Sequence, residues 1–156
     1  MLVISYSSIS GNTAGTSGGG IYNNADDGGD YSGTVIYTQS GIVTVSNSTI
    51  NGNQAHFGGG IYNNGTLTVG NSTIRHNKAF GIELSSGGEE SGISGGIYNS
   101  SFGTATVDYS TIACNFDTSQ EDSNKAIKHD DVAGKFITKH HHNRISNVSG
   151  STFSYN

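Results

Sequence analysis

Short runs in which apolar residues alternate with Thr, Ser or Tyr recur along the first 115 residues of the chain. Such a period of two predicts short β-strands that have one buried face. In the run from Thr66 to Val69 we expect Leu67 and Val69 to point inward, and Thr66 and Thr68 to point outward. Gly, Asn and Ser separate the runs, which suits corners where the backbone needs a positive φ.

Three motifs recur in a fixed order, so the sequence contains an imperfect repeat. An apolar residue, two variable positions and Asn occur at 9–12, 50–53, 74–77, 112–115 and 153–156. Gly-Gly-Ile-Tyr-Asn occurs at 19–23, 59–63 and 95–99. An alternating run that ends in Val occurs at 43–45, 67–69 and 105–107. The shortest interval between motif asparagines, from Asn53 to Asn77, is 24 residues, which predicts stacked coils of about that length with insertions routed outward as loops.

The same residue at the same phase of every coil favours direct stacking over an antiparallel sandwich or propeller. We therefore predict that 1–156 is one all-β segment, a right-handed parallel β-helix of the pectate-lyase-like solenoid type. Regular coils are predicted at 1–24, 41–79 and 95–115, with a last partial coil at 148–156. Insertions or irregular stretches are predicted at 25–40, 80–94 and 116–147.

Stacking would bring the asparagines of the first motif into one file, with neighbours about 4.8 Å apart. Stacked asparagines exchange amide hydrogen bonds along the stacking axis in cross-β assemblies. The sequence therefore predicts a structural ladder made of Asn12, Asn53, Asn77 and Asn115.

Charge and hydropathy narrow the range of partners. Seven Lys and Arg against 12 Asp and Glu give a net charge of −5, which argues against binding to a nucleic-acid backbone. No run approaches the roughly 18 apolar residues of a transmembrane helix, and the first residues lack the basic start and apolar run of a signal peptide. The chain begins on a predicted strand and ends on a motif Asn, so we expect an uncapped fragment of a longer polypeptide.

The combination of Gly-Gly-Ile-Tyr-Asn with Asn-Ser-Thr-Ile-x-x-Asn resembles the right-handed parallel β-helix repeats of large bacterial surface proteins. It is also similar to the paired Gly-Gly-Ala-Ile and Phe-x-x-Asn motifs of the chlamydial polymorphic outer membrane protein family. Here the first motif appears as Gly-Gly-Ile at 19–21, 59–61 and 95–97, and the second has its Phe form once, at 153–156, with Ile in place of Phe elsewhere. The likeness covers about 1–115 and 148–156.

The resemblance implies an autotransporter-passenger-like domain that is secreted or displayed on the bacterial outer surface and serves in adhesion. It implies a surface protein or polysaccharide of a host or neighbouring cell as the partner. The expected function is a non-enzymatic scaffold that presents loops for binding and needs no cofactor.

Polysaccharide lyases and hydrolases use the same fold, so a carbohydrate-active enzyme is the alternative. Such enzymes need neighbouring carboxylates for acid and base work or to hold Ca²⁺. Within the predicted regular coils the one carboxylate is Asp108, and the others fall in insertions or in the irregular stretch. This distribution favours the scaffold, and in the alternative the catalytic groups would come from loops or from further coils.

Metal-ligating residue types cluster in the irregular stretch, at His129, Asp130, His140 and His142. Consecutive residues of an extended chain point to opposite sides, so a polar loop explains this cluster more simply than a metal site. The acidic run at 26–30 leaves a Ca²⁺ loop open, although it matches neither of the familiar calcium-binding patterns.

Tyr22, Tyr62 and Tyr98 occupy one phase of the coil and are expected to face outward in a file. An exposed tyrosine stripe would form a contact surface for carbohydrate or protein. The other interpretation, which we favour, is that the stacked rings stabilise neighbouring coils.

Overall fold

A computed structural model describes residues 1–25, 36–38, 41–83, 89–90, 92–118, 128–129, 131–138, 144–145 and 152–155. Within these residues the secondary structure is entirely β, with 22 short strands and no helix. In chain order the strands are β1 (Leu2–Ser5), β2 (Ser8–Ser10), β3 (Ile21–Asn24), β4 (Ile36–Thr38), β5 (Ile42–Ser46), β6 (Thr49–Asn51), β7 (Gln54–Ala55), β8 (Ile61–Asn64), β9 (Thr66–Gly70), β10 (Thr73–Arg75), β11 (Lys78–Phe80), β12 (Ile82–Glu83), β13 (Glu89–Glu90), β14 (Ile97–Asn99), β15 (Thr104–Asp108), β16 (Thr111–Ala113), β17 (Phe116–Thr118), β18 (Lys128–His129), β19 (Val132–Ala133), β20 (Lys135–Thr138), β21 (Arg144–Ile145) and β22 (Thr152–Tyr155).

The described strands assemble into four sheets and one hairpin. Sheet 1 has the order β1-β5-β9-β15-β20-β22, sheet 2 the order β2-β6-β10-β16-β21, sheet 3 the order β18-β17-β11-β7, and sheet 4 the order β19-β14-β8-β3-β4. Every pair in sheets 1, 2 and 4 is parallel, whereas β17 with β18 and β12 with β13 are antiparallel. We call one passage of the chain through sheets 1 to 4 a repeat. An all-β structure of parallel sheets visited in this order is compatible with a parallel β-helix or solenoid.

The register places equivalent residues opposite one another. In sheet 2 one position of the register holds an isoleucine in all five strands, namely Ile9, Ile50, Ile74, Ile112 and Ile145. The three in the middle repeats, Ile50, Ile74 and Ile112, are fully buried. Burying each such side chain stabilises the fold by about 1.5–3 kcal/mol, so a thin column of aliphatic residues is enough to form a core.

The predicted faces of β9 are confirmed. Leu67 and Val69 are fully buried, whereas Thr66 and Thr68 are exposed. The same alternation holds in β15, where Ala105 and Val107 lie inside. Sheet 1 therefore presents a polar outer face and contributes an aliphatic inner face to the core.

The stretch 116–147, predicted to be an insertion or irregular, contains described strands that continue sheets 1 and 4. Val132 pairs with Ile97 in sheet 4, and Phe136 pairs with Ala105 in sheet 1. Both Val132 and Phe136 are buried, so this segment adds a further layer to the core. The motif is hard to recognise here because the alternation of buried and exposed positions persists while the residue types change.

The other two predicted insertions also contain paired strands. In 25–40, β4 continues sheet 4, with Ile36 opposite Ile21. In 80–94, β12 and β13 form an antiparallel hairpin with Ile82 opposite Glu90. The inserted residues therefore leave from strand pairs that hold their ends in place.

Glycine precedes the first strand residue of sheet 4 in three repeats because the neighbouring repeat lies too close for a side chain. A Cβ built on Gly60 would lie 2.7 Å from the carbonyl oxygen of Gly96 and 3.0 Å from Nδ2 of Asn77. Both neighbours belong to the next repeat, and the backbone oxygen cannot move aside. The close stacking of repeats thus depends on glycine at this position.

We expect Gly60→Ala to lower the free energy of unfolding by about 1–3 kcal/mol, because the added methyl group forces neighbouring repeats apart. Gly70→Ala is the matched control, since a Cβ there meets nothing within 4 Å. Urea unfolding followed by circular dichroism measures both variants. Equal stability of the two variants would contradict the close approach described at Gly60.

Candidate functional site

The four asparagines of the expected ladder lie in consecutive repeats and hydrogen-bond to one another. Nδ2 of Asn12 donates to Oδ1 of Asn53, and Nδ2 of Asn53 donates to Oδ1 of Asn77, both at 3.0 Å. Nδ2 of Asn77 donates to Oδ1 of Asn115 at 2.9 Å. All the donors point toward later repeats, so the file has a direction.

Each amide oxygen of this file also satisfies a backbone donor. Oδ1 of Asn53, Asn77 and Asn115 accepts the backbone N–H of the preceding asparagine at 3.0 Å. The second Nδ2 proton goes to the carbonyl of the motif isoleucine one repeat earlier, as from Asn77 to Ile50 at 3.1 Å. These three asparagines are fully buried, so their polar groups are used for cohesion between repeats.

Among the described residues this file ends on a carboxylate. Oδ1 of Asp131 accepts from the backbone N–H of Asn115 at 2.8 Å and from its Nδ2 at 2.7 Å. Since Val132 pairs with Ile97, Asp131 lies opposite Gly96 and enters the file from the glycine position. The sequence placed Asp131 in the irregular stretch and did not reveal its place in the file, because no motif marks a carboxylate that arrives from a different phase of the repeat.

A serine file, not predicted from the sequence, runs along the corner between sheets 1 and 2. The backbone N–H groups of Ser7, Ser48 and Ser72 each donate to the hydroxyl of the serine in the next repeat, at 3.1–3.2 Å. The hydroxyl of Ser48 in turn donates to the carbonyl of Ser46 at 2.7 Å. The signal was present in the sequence, since a serine two residues before the motif isoleucine recurs at this phase.

A second asparagine file, also missed, lies inside sheet 4. Nδ2 of Asn23 donates to Oδ1 of Asn63, and Nδ2 of Asn63 donates to Oδ1 of Asn99, both at 2.6 Å. All three are buried. The asparagine that ends the motif Gly-Gly-Ile-Tyr-Asn was the available signal, because its spacing equals that of the isoleucine two residues earlier.

The three tyrosines expected as an outward stripe form a stack on sheet 4. The rings of Tyr22 and Tyr62 are 5.1 Å apart at 12°, and those of Tyr62 and Tyr98 are 5.4 Å apart at 21°. Tyr62 and Tyr98 are half-buried, but Tyr22 is 7% exposed, so it does not face solvent as expected. In the register of sheet 4, Tyr22 lies opposite Tyr37 of β4 on one side and Tyr62 of β8 on the other.

Beside this stack lies a buried histidine. Nδ1 of His56 is 2.7 Å from the carbonyl oxygen of Phe80, which assigns the proton to Nδ1 because a carbonyl only accepts. The His56 ring meets Phe57 edge-on at 4.2 Å, and Phe57 lies 5.6 Å from Tyr98. His56 is thus 1% exposed, and its ring packs against that of Phe57.

The metal-ligating cluster is not assembled in the described part of the chain. His129 lies in β18, opposite Phe116, while Asp130, His140 and His142 lie outside the described residues, as does the acidic run at 26–30. Among the described side chains no group of three His, Cys, Asp or Glu residues is arranged to hold a metal ion. Among the residues whose side chains the structure describes, the carboxylates are those of Asp108, Asp117 and Asp131.

Comparisons of this chain with protein-family models, with curated proteins and with solved structures find no match. None of the described residues belongs to a helix of the length and apolar character needed to cross a bilayer.

We expect Asn77→Ala to lower the free energy of unfolding by roughly 2–5 kcal/mol, because two buried donors of Asn53 lose their acceptor. Asn12→Ala removes the same side chain at the half-buried end of the file, where no preceding donor depends on it among the described residues. The control should therefore cost about 1 kcal/mol or less. Chemical unfolding of both variants measures the difference, and equal losses would show that the buried file does not hold the repeats together.

Proposed function

We propose that this chain is a segment of a right-handed parallel β-helix that serves as a rigid, non-enzymatic scaffold for binding outside the cell. One observation carries the proposal: the buried asparagines and serines of successive repeats are used to hydrogen-bond one repeat to the next. A side chain held in this way contributes to cohesion and is not offered to a substrate. Binding then belongs to the outer surface and to the inserted segments.

Antiparallel strand pairs flank two of the insertions, which supports a separation between binding and stability. Glu83 pairs with Glu89 across the first hairpin, and Asp117 pairs with Lys128 across the second. An antiparallel pair brings the ends of its loop together, so the loop can vary without moving the strands. Residues 84–88 and 119–127 can therefore carry specificity while the repeats carry stability.

The place of action and the partner rest on the sequence. The resemblance to bacterial surface repeats supports display on the outer surface, or secretion, and a role in adhesion. The low charge and the surface rich in Ser, Thr and Asn suit a surface protein or polysaccharide of another cell as the partner. The alternative, a carbohydrate-active enzyme, makes the opposite prediction that polysaccharide is cleaved.

Binding of the fluorescently labelled chain to a panel of bacterial and animal cells tests the proposal. In one variant Asn-Gly replaces residues 84–88, and in a second variant Asn-Gly replaces residues 119–126. Asn-Gly is chosen because it closes a two-residue antiparallel hairpin. We expect cell binding to fall about tenfold or more while the melting temperature stays within a few degrees of the parent. The paired strands on either side remain intact, which is why the fold should tolerate the change.

Loops of the original length with a scrambled sequence serve as the control, and they should lose binding to the same extent. Absence of cell binding by the parent chain, or full binding by the shortened variant, would contradict the scaffold proposal. Release of reducing ends from any polysaccharide in the panel would favour the enzyme instead.

A further inference from the structure

The corner between sheets 2 and 3 carries basic side chains, although the chain as a whole has a net charge of −5. Arg75 is the last residue of β10, His76 forms the corner, and Lys78 is the first residue of β11. Arg75 and His76 are exposed and Lys78 is half-buried. We call these three residues the basic corner.

Uncharged residues lie beside both cations in the neighbouring repeats. The register of sheets 2 and 3 places Asn51 and Ala113 opposite Arg75, and Gln54 and Phe116 opposite Lys78. At physiological ionic strength charges act over only about 8 Å. The two cations therefore set the local potential of the basic corner, whatever the net charge of the chain.

The carboxylates whose side chains the structure describes do not share this outer surface. Asp117 and Asp131 are buried, and Asp108 belongs to sheet 1. Asp117 lies opposite Ala79, which is on the inner face of sheet 3, whereas the preceding residue, Lys78, is on the outer face. The charge of the basic corner is thus offered to the outside of the stack.

The corner is open in the two repeats that precede the basic corner. Gly11 and Gly52 take the place of His76 there, and their N–H groups donate to the next repeat as that of His76 does. A Cβ built on Gly11 would meet nothing within 4 Å, and one on Gly52 would reach only the backbone N of Gly11, at 4.0 Å. A ligand can therefore approach the backbone of the corner without displacing a side chain.

Hydroxyl and amide groups continue the outer positions of the two cations into these repeats. They are Ser10 and Asn51 on the sheet 2 side, and Thr13 and Gln54 on the sheet 3 side. Nδ1 of His76 lies 3.2 Å from Oδ1 of Asn51, so the imidazole reaches toward the preceding repeat and orients this amide. Such groups can donate to and accept from sugar hydroxyls.

The side chains at the basic corner suit a polysaccharide better than a protein. Protein interfaces are usually anchored by large apolar or aromatic side chains at their centre. Among the described residues, the large apolar side chains that are exposed all lie away from the positions just named. An anionic ligand rich in hydroxyl groups matches what this surface presents.

We propose that the basic corner binds an acidic polysaccharide, whose carboxylate or sulfate groups pair with Arg75 and Lys78. The guanidinium of Arg75 can hold two oxygens of one acidic group at once, whereas Lys78 acts as a point charge. The amides of Asn51 and Gln54 bond to sugar hydroxyls beside the acidic groups. This inference rests on the proposed binding function, and it gives that function a class of ligand and one site.

Biolayer interferometry of the full chain on immobilised polymers, at about 0.15 M salt, tests the site. Polygalacturonate supplies carboxylates and dextran sulfate supplies sulfates. The methyl ester of polygalacturonate and plain dextran are their uncharged matches. We expect the chain to bind at least one acidic polymer about tenfold or more tightly than its uncharged match, and the preferred polymer identifies the acidic group.

Arg75→Gln should bind the preferred acidic polymer about fivefold or more weakly, because the charge-assisted hydrogen bonds are lost. Its melting temperature should stay within a few degrees of the parent, since the Arg75 side chain is exposed. Adding Lys78→Gln should weaken binding further. Lys135→Gln is the matched control, because it removes one exposed cation from sheet 1, and it should bind as the parent does.

Equal binding to an acidic polymer and its uncharged match, or undiminished binding by the double variant, would overturn the basic corner as a site. Tighter binding to immobilised polyglutamate than to either acidic polysaccharide would overturn it in favour of an acidic protein. If the parent chain binds cells in the loop experiment but neither acidic polysaccharide, the basic corner is wrong and the scaffold proposal stands. If it binds neither cells nor acidic polysaccharide, both fail.

Discussion

The structure depends on how a backbone N–H is satisfied where the chain turns between strands inside the stack. At that point no strand partner is available, and a buried donor without an acceptor costs about 1–3 kcal/mol. The amide oxygen of the asparagine in the next repeat accepts this N–H together with the side-chain donor of the same residue, as Asn77 does for Asn53. One asparagine per repeat therefore satisfies the backbone N–H at the turn and hydrogen-bonds one repeat to the next. These hydrogen bonds fix the register of the strands on either side.

This constraint explains which features were predictable from the sequence. A ladder requires the same residue at the same phase, so Asn12 to Asn115 could be placed in one file from spacing alone, and the buried isoleucines of sheet 2 follow from the same phase. The serine file and the second asparagine file obey the same rule and were missed only because their roles were not sought. The repeat beyond Phe116 could not be recognised, since Val132 and Phe136 keep the burial pattern but not the motif residues. Asp131 could not be placed from the sequence at all. Its carboxylate takes the place of an asparagine amide but comes from a different phase of the repeat, so the contact depends on three-dimensional proximity and leaves no periodic signal.

Two sets of tyrosines differ in their surroundings, one on a sheet and one at a corner. On sheet 4 the rings lie on neighbouring parallel strands and stack face to face, so they add cohesion. At the corner between sheets 1 and 2, Tyr6 and Tyr109 have positive φ values, as do Asn47 and Asn71 in the repeats between them, and all four side chains are exposed. Sequence phase identified the first set because three copies recur. It did not single out the second, because only the positive φ shared with Asn47 and Asn71 places the four residues in one file.

In the proposed scaffold, cohesion and recognition are separable because they use different atoms. The Asn and Ser side chains of the middle repeats bond along the stacking axis and are buried, and in the proposal binding belongs to the inserted segments. Changing a hairpin insertion leaves the adjoining pairs, such as Ile82 with Glu90, in register, since those pairs close before the insertion begins. A substitution within a file lowers the stability of the fold. Each side-chain oxygen that is lost leaves donors in the preceding repeat without an acceptor. It follows that a variant with lost binding and unchanged stability points to a residue outside the files, whereas one that loses both points to a residue within them.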